Sequence, residues 1–296
     1  MKIIFLGTSS MVPTKDRNHS ATLILYKDEG ILIDVGEGTQ RQLKYAGIRP
    51  AKITKVLITH WHGDHVFGLP GLIQTLGASE YEGTLKIYGP KDTKKWFERV
   101  MNAFVLTDKV ETEVYEVEEG AFFENKEYRL ISMPLHHSTP CVGYRFEECD
   151  TRKMDINKIR ALKVPDGPQI GKLQEGHSIK VDGKLIKPDD VSKIKKGRTI
   201  AFIADTGMTN NAVRLAKDAD LLISEATHTM EHEEKAKLYK HLTAQQAALI
   251  ASNANAKKLV LNHFSQRYKT TDAILEEAKM IFPNTTVARD LMVLNL

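Results

Sequence analysis

The stretch "KVLITHWHGDHVFGLPGLI", residues 55–73, decides the fold. An apolar, β-branched run of strand length (55–58) meets three histidines and an aspartate within six positions (His60, His62, Asp64, His65), and a helical pattern follows at once. A strand that ends in ionisable residues and turns into a helix is the unit of an α/β protein. In such proteins, ligands sit beyond the carboxyl ends of strands.

The same arrangement recurs along the chain. Strand-like runs are "KIIFLG", "ATLILY", "GILIDVG", "LKIYG", "YRLISMPLHH", "TIAFIADTG", "DLLISEAT", "KLVLNHF" and "TVARDLMVLNL". Helical patterns are "GTQRQLKYAGI", "FGLPGLIQTLGA", "DTKKWFERVMNAF", "NNAVRLAKDA", "TAQQAALIASNA" and "DAILEEAKMIF". Early strands are joined by short turns and later ones by helices, which predicts mixed sheets with helices outside. Several runs end on chemistry: Asp34, His60, the pair His136 and His137, Asp205, Glu225 and His263. Buried ionisable groups are costly unless paired or metal-bound, so six such ends predict one convergent site.

Imidazole and carboxylate donors without thiolate suit Zn²⁺ first, with Mn²⁺, Fe or Co as alternatives. His60 and His62 can share one ion. Asp64 and His65 face a second, with Gly63 letting the chain bend between them. Of the adjacent histidines, one of His136 and His137 would complete the first set and His263 the second. Asp205 could bridge through its two oxygens, and Asp34 is placed to fix a histidine tautomer. A pair His228 and His232, spaced i, i+4 in "HTMEH", could chelate zinc on a helix but has no HExxH context, and both are expected at the surface.

The 296 residues, 42% of them hydrophobic, are enough for one large α/β core. The start "MKIIFLGTSS" lacks a signal-peptide h-region, and no window approaches the roughly 18 apolar residues of a membrane span, so a cytoplasmic location without membrane attachment is expected. Cys141 and Cys149 suggest packed free thiols and no disulfide framework. The net charge of +4 is unevenly spread. Residues 150–198 carry 13 Lys+Arg against 7 Asp+Glu, and the remainder carries 29 against 31. With its "PDGP", "VDG" and "KPDD" turns, this segment predicts a polar insertion within a single 1–296 domain.

"HWHGDH" is a case of the H-x-H-x-D-H motif, and the chain resembles the metallo-β-lactamase superfamily, within it the ribonuclease Z family. "FLGTSSMVPTKDRNHS", "ILIDVGEGTQRQL", "LHHSTPCVGYR", "VPDGPQIGKL", "AFIADTG", "SEATH", "KHLTAQQAA" and "LNHFSQRY" carry the match along nearly the whole chain. The resemblance implies an αββα sandwich with an inserted protruding arm, and it selects His137, six residues before Gly143, over His136. It implies two zinc ions per subunit held by His60, His62, Asp64, His65, His137, Asp205 and His263, with Asp34 behind them. Asp64 would orient the attacking water, and His241, held by Glu225, would be the general acid. Where the family often has His before "EAT", this chain has Ser224.

The implied activity is hydrolysis of the phosphodiester 3′ of the discriminator nucleotide in precursor tRNA, by a homodimer. The basic arm would grip the tRNA body, with Gly167 and Pro168 at its tip or hinge. Lys15, Arg17 and Asn18 of "PTKDRN" would meet the acceptor end. Two other readings share these residues. A hydrolase of the same fold acting on small phosphodiesters, lactones or thioesters has no need of the arm. A non-catalytic RNA-binding scaffold has no need of Asp64, Asp205 or His241. A β-lactamase fits less well, because Asp205 stands where such enzymes typically use Cys.

Overall fold

The computed structural model describes residues 1–105 and 110–296. Most of the apolar runs become strands, which in chain order are β1 (Lys2–Gly7), β2 (Ala21–Tyr26), β3 (Glu29–Ile33), β4 (Ile53–Leu57), β5 (Thr84–Gly89), β6 (Glu111–Glu116), β7 (Gly120–Glu124), β8 (Tyr128–Pro134) and β9 (Val142–Glu148), with β6 and β7 arising outside those runs. Four short strands follow: β10 (Thr151–Met154), β11 (Ile179–Val181), β12 (Lys184–Ile186) and β13 (Ser192–Lys195). The chain then forms β14 (Thr199–Ile203), β15 (Leu221–Glu225), β16 (Leu259–Asn262), β17 (Thr285–Val287) and β18 (Val293–Asn295). The helices are α1 (Thr39–Tyr45), α2 (Gly63–Val66), α3 (Leu69–Gly77), α4 (Thr93–Met101), α5 (Ile156–Ala161), α6 (Pro168–Gln174), α7 (Asn210–Ala216), α8 (Glu233–Tyr239), α9 (Ala244–Asn253) and α10 (Asp272–Lys279).

Two seven-stranded sheets run in the orders β18-β1-β2-β3-β4-β5-β6 and β17-β16-β15-β14-β9-β8-β7. The last run read from the sequence divides between them. Residues 285–287 pair in parallel with β16, whereas 293–295 pair antiparallel with β1. Polar Arg289 and Asp290 interrupt the apolar pattern at the crossing.

Strand alternation builds the layers. Ile4, Leu6, Leu23, Leu32, Val56 and Ile87 pack with Leu43, Leu69 and Leu72 of α1 and α3. The alternate residues Ile3, Phe5, Ile24, Ile31, Ile33 and Leu57 are equally buried and therefore lie on the opposite face of the same sheet. The second sheet repeats the pattern, with Ala201, Ile203, Leu222, Leu259 and Leu261 against α7, α9 and α10. Tyr144 donates from its hydroxyl to the Ile58 carbonyl at 2.6 Å, and the Tyr26 and Phe146 rings lie 5.4 Å apart, so the inner faces meet. The result is the mixed α/β, two-sheet metallo-β-lactamase fold.

The chain divides into two compact units, one of residues 1–123, 130–146 and 199–296 and the other of 124–129 and 147–198. The second unit therefore includes the basic segment and also the whole β7–β8 connection with the adjoining strand ends. It has its own small core of Ile159, Val164, Leu173, Ile179, Ile186 and Val191. Within it, β10 pairs with β13 and β11 with β12, both antiparallel. Gly167, at φ 120, precedes Pro168, which opens α6.

The α9 helix begins with a reciprocal cap. Thr243 Oγ1 accepts from the Gln246 amide at 3.2 Å, and Gln246 Oε1 accepts from the Thr243 amide at 3.0 Å. Thr243→Ala is expected to lower unfolding free energy by about 1 kcal/mol, read as a shift in urea midpoint at constant slope.

Candidate metal centre and catalytic cleft

Strands β3 and β4 are parallel, as are β14, β15 and β16. Their carboxyl ends therefore open at one edge of each sheet, and the loops beyond carry Asp34, His60 to His65, Asp205, Glu225 and His263. Asp34 and His263 both adopt the left-handed region, at φ 58 and 59. This costs an L-residue roughly 1–2 kcal/mol, a strain that persists where surrounding contacts over-determine it. Gly63 opens α2 without a positive φ, and a Cβ there would meet the tip of the Phe67 ring, itself 67% exposed, at 2.1 Å.

Potential ligand atoms fall into three overlapping groups, each within 4.8 Å: His60, His62, His137 and Asp205; Asp64, His65 and His263; Asp205, His241 and His263. His137, and not the exposed His136, belongs to the first. Asp205 is common to two groups. Its Oδ2 lies 3.8 Å from His60 Nε2 and its Oδ1 3.6 Å from His65 Nε2.

Hydrogen bonds fix the histidine tautomers. Thr59 Oγ1 lies 2.8 Å from Asp34 Oδ2 and donates its one proton there, so it accepts from His60 Nδ1 at 3.1 Å. His65 Nδ1 donates to Asp34 Oδ2 at 2.7 Å. His137 Nδ1 donates to the Lys240 carbonyl at 3.0 Å. Thr227 donates to Glu225 Oε2 at 2.6 Å and accepts from His263 Nδ1 at 3.1 Å. Four imidazoles thus point their Nε2 inward; burial opposes the charged form of His65, but Asp64, Asp205 and Asp34 outweigh it and raise its proton affinity.

These inward nitrogens crowd one another. His65 Nε2 and His263 Nε2 are 3.2 Å apart, and His62 Nδ1 is 3.0 Å from His60 Nε2 and 3.3 Å from His137 Nε2. Ring nitrogens this close share a proton or take a cation between them, and Asp205 Oδ1 has no hydrogen-bond partner among the described residues. The site fits a divalent metal. Burial lowers the affinity of His60, His62 and His137 for protons, which keeps these imidazoles neutral for ligation. Burial opposes the charge on Asp64, but His65 and His263 outweigh it and hold the carboxyl below its usual range.

His241 Nδ1 lies 3.2 Å from both Glu225 oxygens. Burial disfavours its charged form, yet Glu225 and Asp205 raise its pKa to about 9. Glu225 is fixed by the Thr206 amide at 2.7 Å. Ser224 directs its hydroxyl to the Glu225 carbonyl at 3.0 Å, so the departure from the family pattern leaves the carboxylate's own contacts in place. A cleft of about 470 Å³ runs over His62, Asp64, His137, Asp205 and His241.

The expectation that His228 and His232 share the surface fails for His228. Residue 228 is bridged to Thr243 in extended conformation and only 230–232 form a turn, so the i, i+4 spacing lies on no helix. His228 is buried along the cleft, its Nδ1 has no hydrogen-bond partner among the described residues, and burial lowers its pKa to about 4. The sequence reading also passed over Thr59 and Thr227. Both stand in a strand-end "TH" dipeptide, a signal that was present.

The other named residues lie apart from these groups. Lys15 is exposed. Arg17 donates to the Tyr268 carbonyl, and the Asn18 amide donates to Asp290 Oδ2 at 2.7 Å, so both hold their loop in place. Cys141 and Cys149 are free. Among the described residues, no helix is long and apolar enough to cross a membrane.

Comparison with known proteins agrees with this geometry. The profile of the metallo-beta-lactamase superfamily matches residues 14–148. A ribonuclease Z of Methanothermobacter thermautotrophicus is 42% identical, covering 99% of this chain and 95% of that one. A ribonuclease Z of Bacillus cereus is 40% identical over 98% of both. The crystal structure of the short form of human tRNase Z superposes with a TM-score of 0.73 at 28% identity, covering 100% of this chain and 99% of that one. With relatives this similar over nearly its full length and a donor cluster suited to a divalent metal, the chain belongs to the ribonuclease Z family of metal-dependent hydrolases within the metallo-β-lactamase superfamily.

Proposed function

We propose that the chain is a zinc-dependent endoribonuclease that hydrolyses the phosphodiester 3′ of the discriminator nucleotide in precursor tRNA. The observation that carries the chemistry is the His241–Glu225 pair beside two adjoining ligand groups in one cleft. The relatives named ribonuclease Z and tRNase Z supply the substrate.

His60, His62, His137 and Asp205 would hold one ion, and Asp64, His65, His263 and Asp205 a second. Two bound cations supply Lewis acidity to the phosphate and to the attacking water. Asp34, through His65 and Thr59, keeps the donor nitrogens oriented. Asp64, held ionised, orients the attacking water and takes its proton. The water oxygen bonds to phosphorus as the P–O3′ bond breaks, which leaves a 5′-phosphate on the trailer. His241, charged at neutral pH, gives a proton to the departing 3′-oxygen, and Glu225 balances the imidazolium until then.

The basic segment is proposed as the tRNA-body contact. Lys158, Arg160, Lys163, Lys172, Lys180 and Lys184 are exposed. Lys15 would add a phosphate contact near the acceptor end, beside the loop that Arg17 and Asn18 hold. The proposed assembly is a cytoplasmic homodimer, in which one subunit's arm presents tRNA to the other's cleft.

The test is cleavage of a 3′-extended tRNA precursor with end-mapping of the products, paired with a deletion. Met154 and Ser192 are cross-strand partners, so residues 155–190 can be replaced by a short Gly/Ser linker without separating β10 from β13. The deletion is expected to spare hydrolysis of a small chromogenic phosphodiester. It should weaken precursor binding and flatten its salt dependence by about 0.7–0.9 units of slope per lost phosphate contact. Unchanged affinity and slope would remove the arm from the proposal. Failure of the intact protein to cut any precursor would remove the substrate.

A further inference from the structure

Large apolar side chains gather at the mouth of this cleft. Met11 is 74% exposed, Leu238 71%, Tyr239 60% and Val12 39%, and all four line it together with His62, Asp64, His137, Asp205 and His241. Burying such side chains elsewhere would stabilise the fold, so a contiguous exposed set beside reactive groups points to something that covers it.

Two separate turns present these residues, and each is tied to a member of the ligand groups. Met11 adopts φ 50, a left-handed conformation unfavourable for a side chain of its size. Its amide donates to Asp64 Oδ2 at 2.8 Å, and its carbonyl lies 3.0 Å from His19 Nε2. Ser9 Oγ donates to the Val12 carbonyl at 2.6 Å. Tyr239 closes α8, immediately before Lys240 at φ 56. The Lys240 carbonyl accepts from His137 Nδ1, and Lys240 Nζ donates to the His137 carbonyl at 3.1 Å. Both turns hold strained backbone at a fixed position relative to the reacting centre, and both spend that rigidity on exposed apolar side chains.

Resting on the endoribonuclease reading above, we infer that Tyr239 and Met11, supported by Leu238 and Val12, form a clamp for one nucleobase. The base is that of the unpaired nucleotide whose 3′-oxygen is the leaving group. An aromatic ring and a thioether accept the π-face of any base without reading its edge, so the clamp positions the scissile phosphate with little sequence preference. It adds a base-binding function to a cleft in which every other assigned side chain addresses the phosphate or its leaving oxygen. A small phosphodiester lacking a base cannot use it.

The test uses the metal-loaded protein and two precursors, one normal and one abasic at the nucleotide 5′ of the cleavage site. For Tyr239→Ala, the ratio of precursor to small-diester kcat/KM is expected to fall roughly 5- to 150-fold, the range for loss of a stacking aromatic. Tyr239→Phe should restore it. The abasic precursor should be a poorer substrate for the unaltered protein by a similar factor and suffer no further loss with Tyr239→Ala. A 2-aminopurine at that position, in a precursor or a single-stranded oligoribonucleotide, should be quenched on binding by the unaltered protein and remain bright with the double variant Met11→Ala, Tyr239→Ala. The quench is read from binding alone, so it tests the clamp even where no precursor is cut and the substrate assignment has failed. Equal losses on the precursor and the small diester would mark Tyr239 as a support for His137 through Lys240 and overturn the clamp. So would additive losses from the abasic site and Tyr239→Ala, or a quench the double variant retains.

Discussion

Asp205→Ala is expected to reduce hydrolysis of precursor and small phosphodiester alike by at least about 10³-fold, the scale set by removing a preorganised electrostatic group from a reacting centre. It should also lower bound divalent metal, from the two ions per chain proposed above to below about one. The size of the effect follows from position. Asp205 lies just beyond β14 with one oxygen toward His60 Nε2 and His137 Nε2, at 3.8 and 4.0 Å, and the other 3.6 Å from His65 Nε2. Among the described residues, no other is shared between the His60–His62–His137 group and a group containing His263. Its removal leaves both sets of imidazoles without a common anion. Metal analysis and circular dichroism on the same sample separate ligand loss from unfolding. A folded variant that kept both ions and full turnover would end the shared-ligand assignment.

His241→Ala should behave differently. Metal content and precursor affinity are expected near those of the unaltered protein, while single-turnover cleavage falls roughly 10²- to 10⁴-fold, the usual contribution of a positioned general acid. Its Nδ1 is held by Glu225 at 3.2 Å and lies 3.7 Å from Asp205 Oδ2, so the ring stands outside the His60–His62–His137 and Asp64–His65–His263 groups, held by a carboxylate that belongs to neither. Substrates with a leaving group acidic enough to depart unprotonated should recover much of the loss. If affinity collapses and the chemical step is unchanged, His241 binds RNA and the acid lies elsewhere.

The strands and helices that carry the chemistry were legible because their residues repeat with the right period. The runs before His60, Asp205, Glu225 and His263 are continuous apolar strands buried on both faces, and the helices packed against them keep a 3.6-residue stripe. β6 and β7, "ETEVYE" and "GAFFE", were not recognised, since half-buried and exposed residues dominate them and leave no alternation to read. The division of residues 285–295 between two sheets was equally hidden. A two-sheet crossing looks locally like one strand with a polar interruption.

The candidate donors were legible for a chemical reason: histidine and aspartate at strand ends have few structural uses in such number, and the family resemblance chose between His136 and His137. Their supports were not. Thr59 and Thr227 look like ordinary strand-end residues until their hydroxyls are seen passing one proton to a carboxylate and receiving one from an imidazole. His228 was misplaced because i, i+4 spacing carries meaning only on a helix, and the backbone there is extended.

By itself the sequence determined an α/β class with mixed sheets and outer helices, the strand-end residues that could bind metal and the basic character of residues 150–198, because periodicity, donor chemistry and charge are local properties. Tertiary structure alone decided which nitrogen of each histidine faces its neighbours. It alone grouped the donors around Asp205 and brought Met11 and Tyr239, 228 positions apart, to one cleft. Those outcomes depend on contacts between strands and loops distant in sequence, and hydrogen-bond distances of about 3 Å exist only once both sheets have packed.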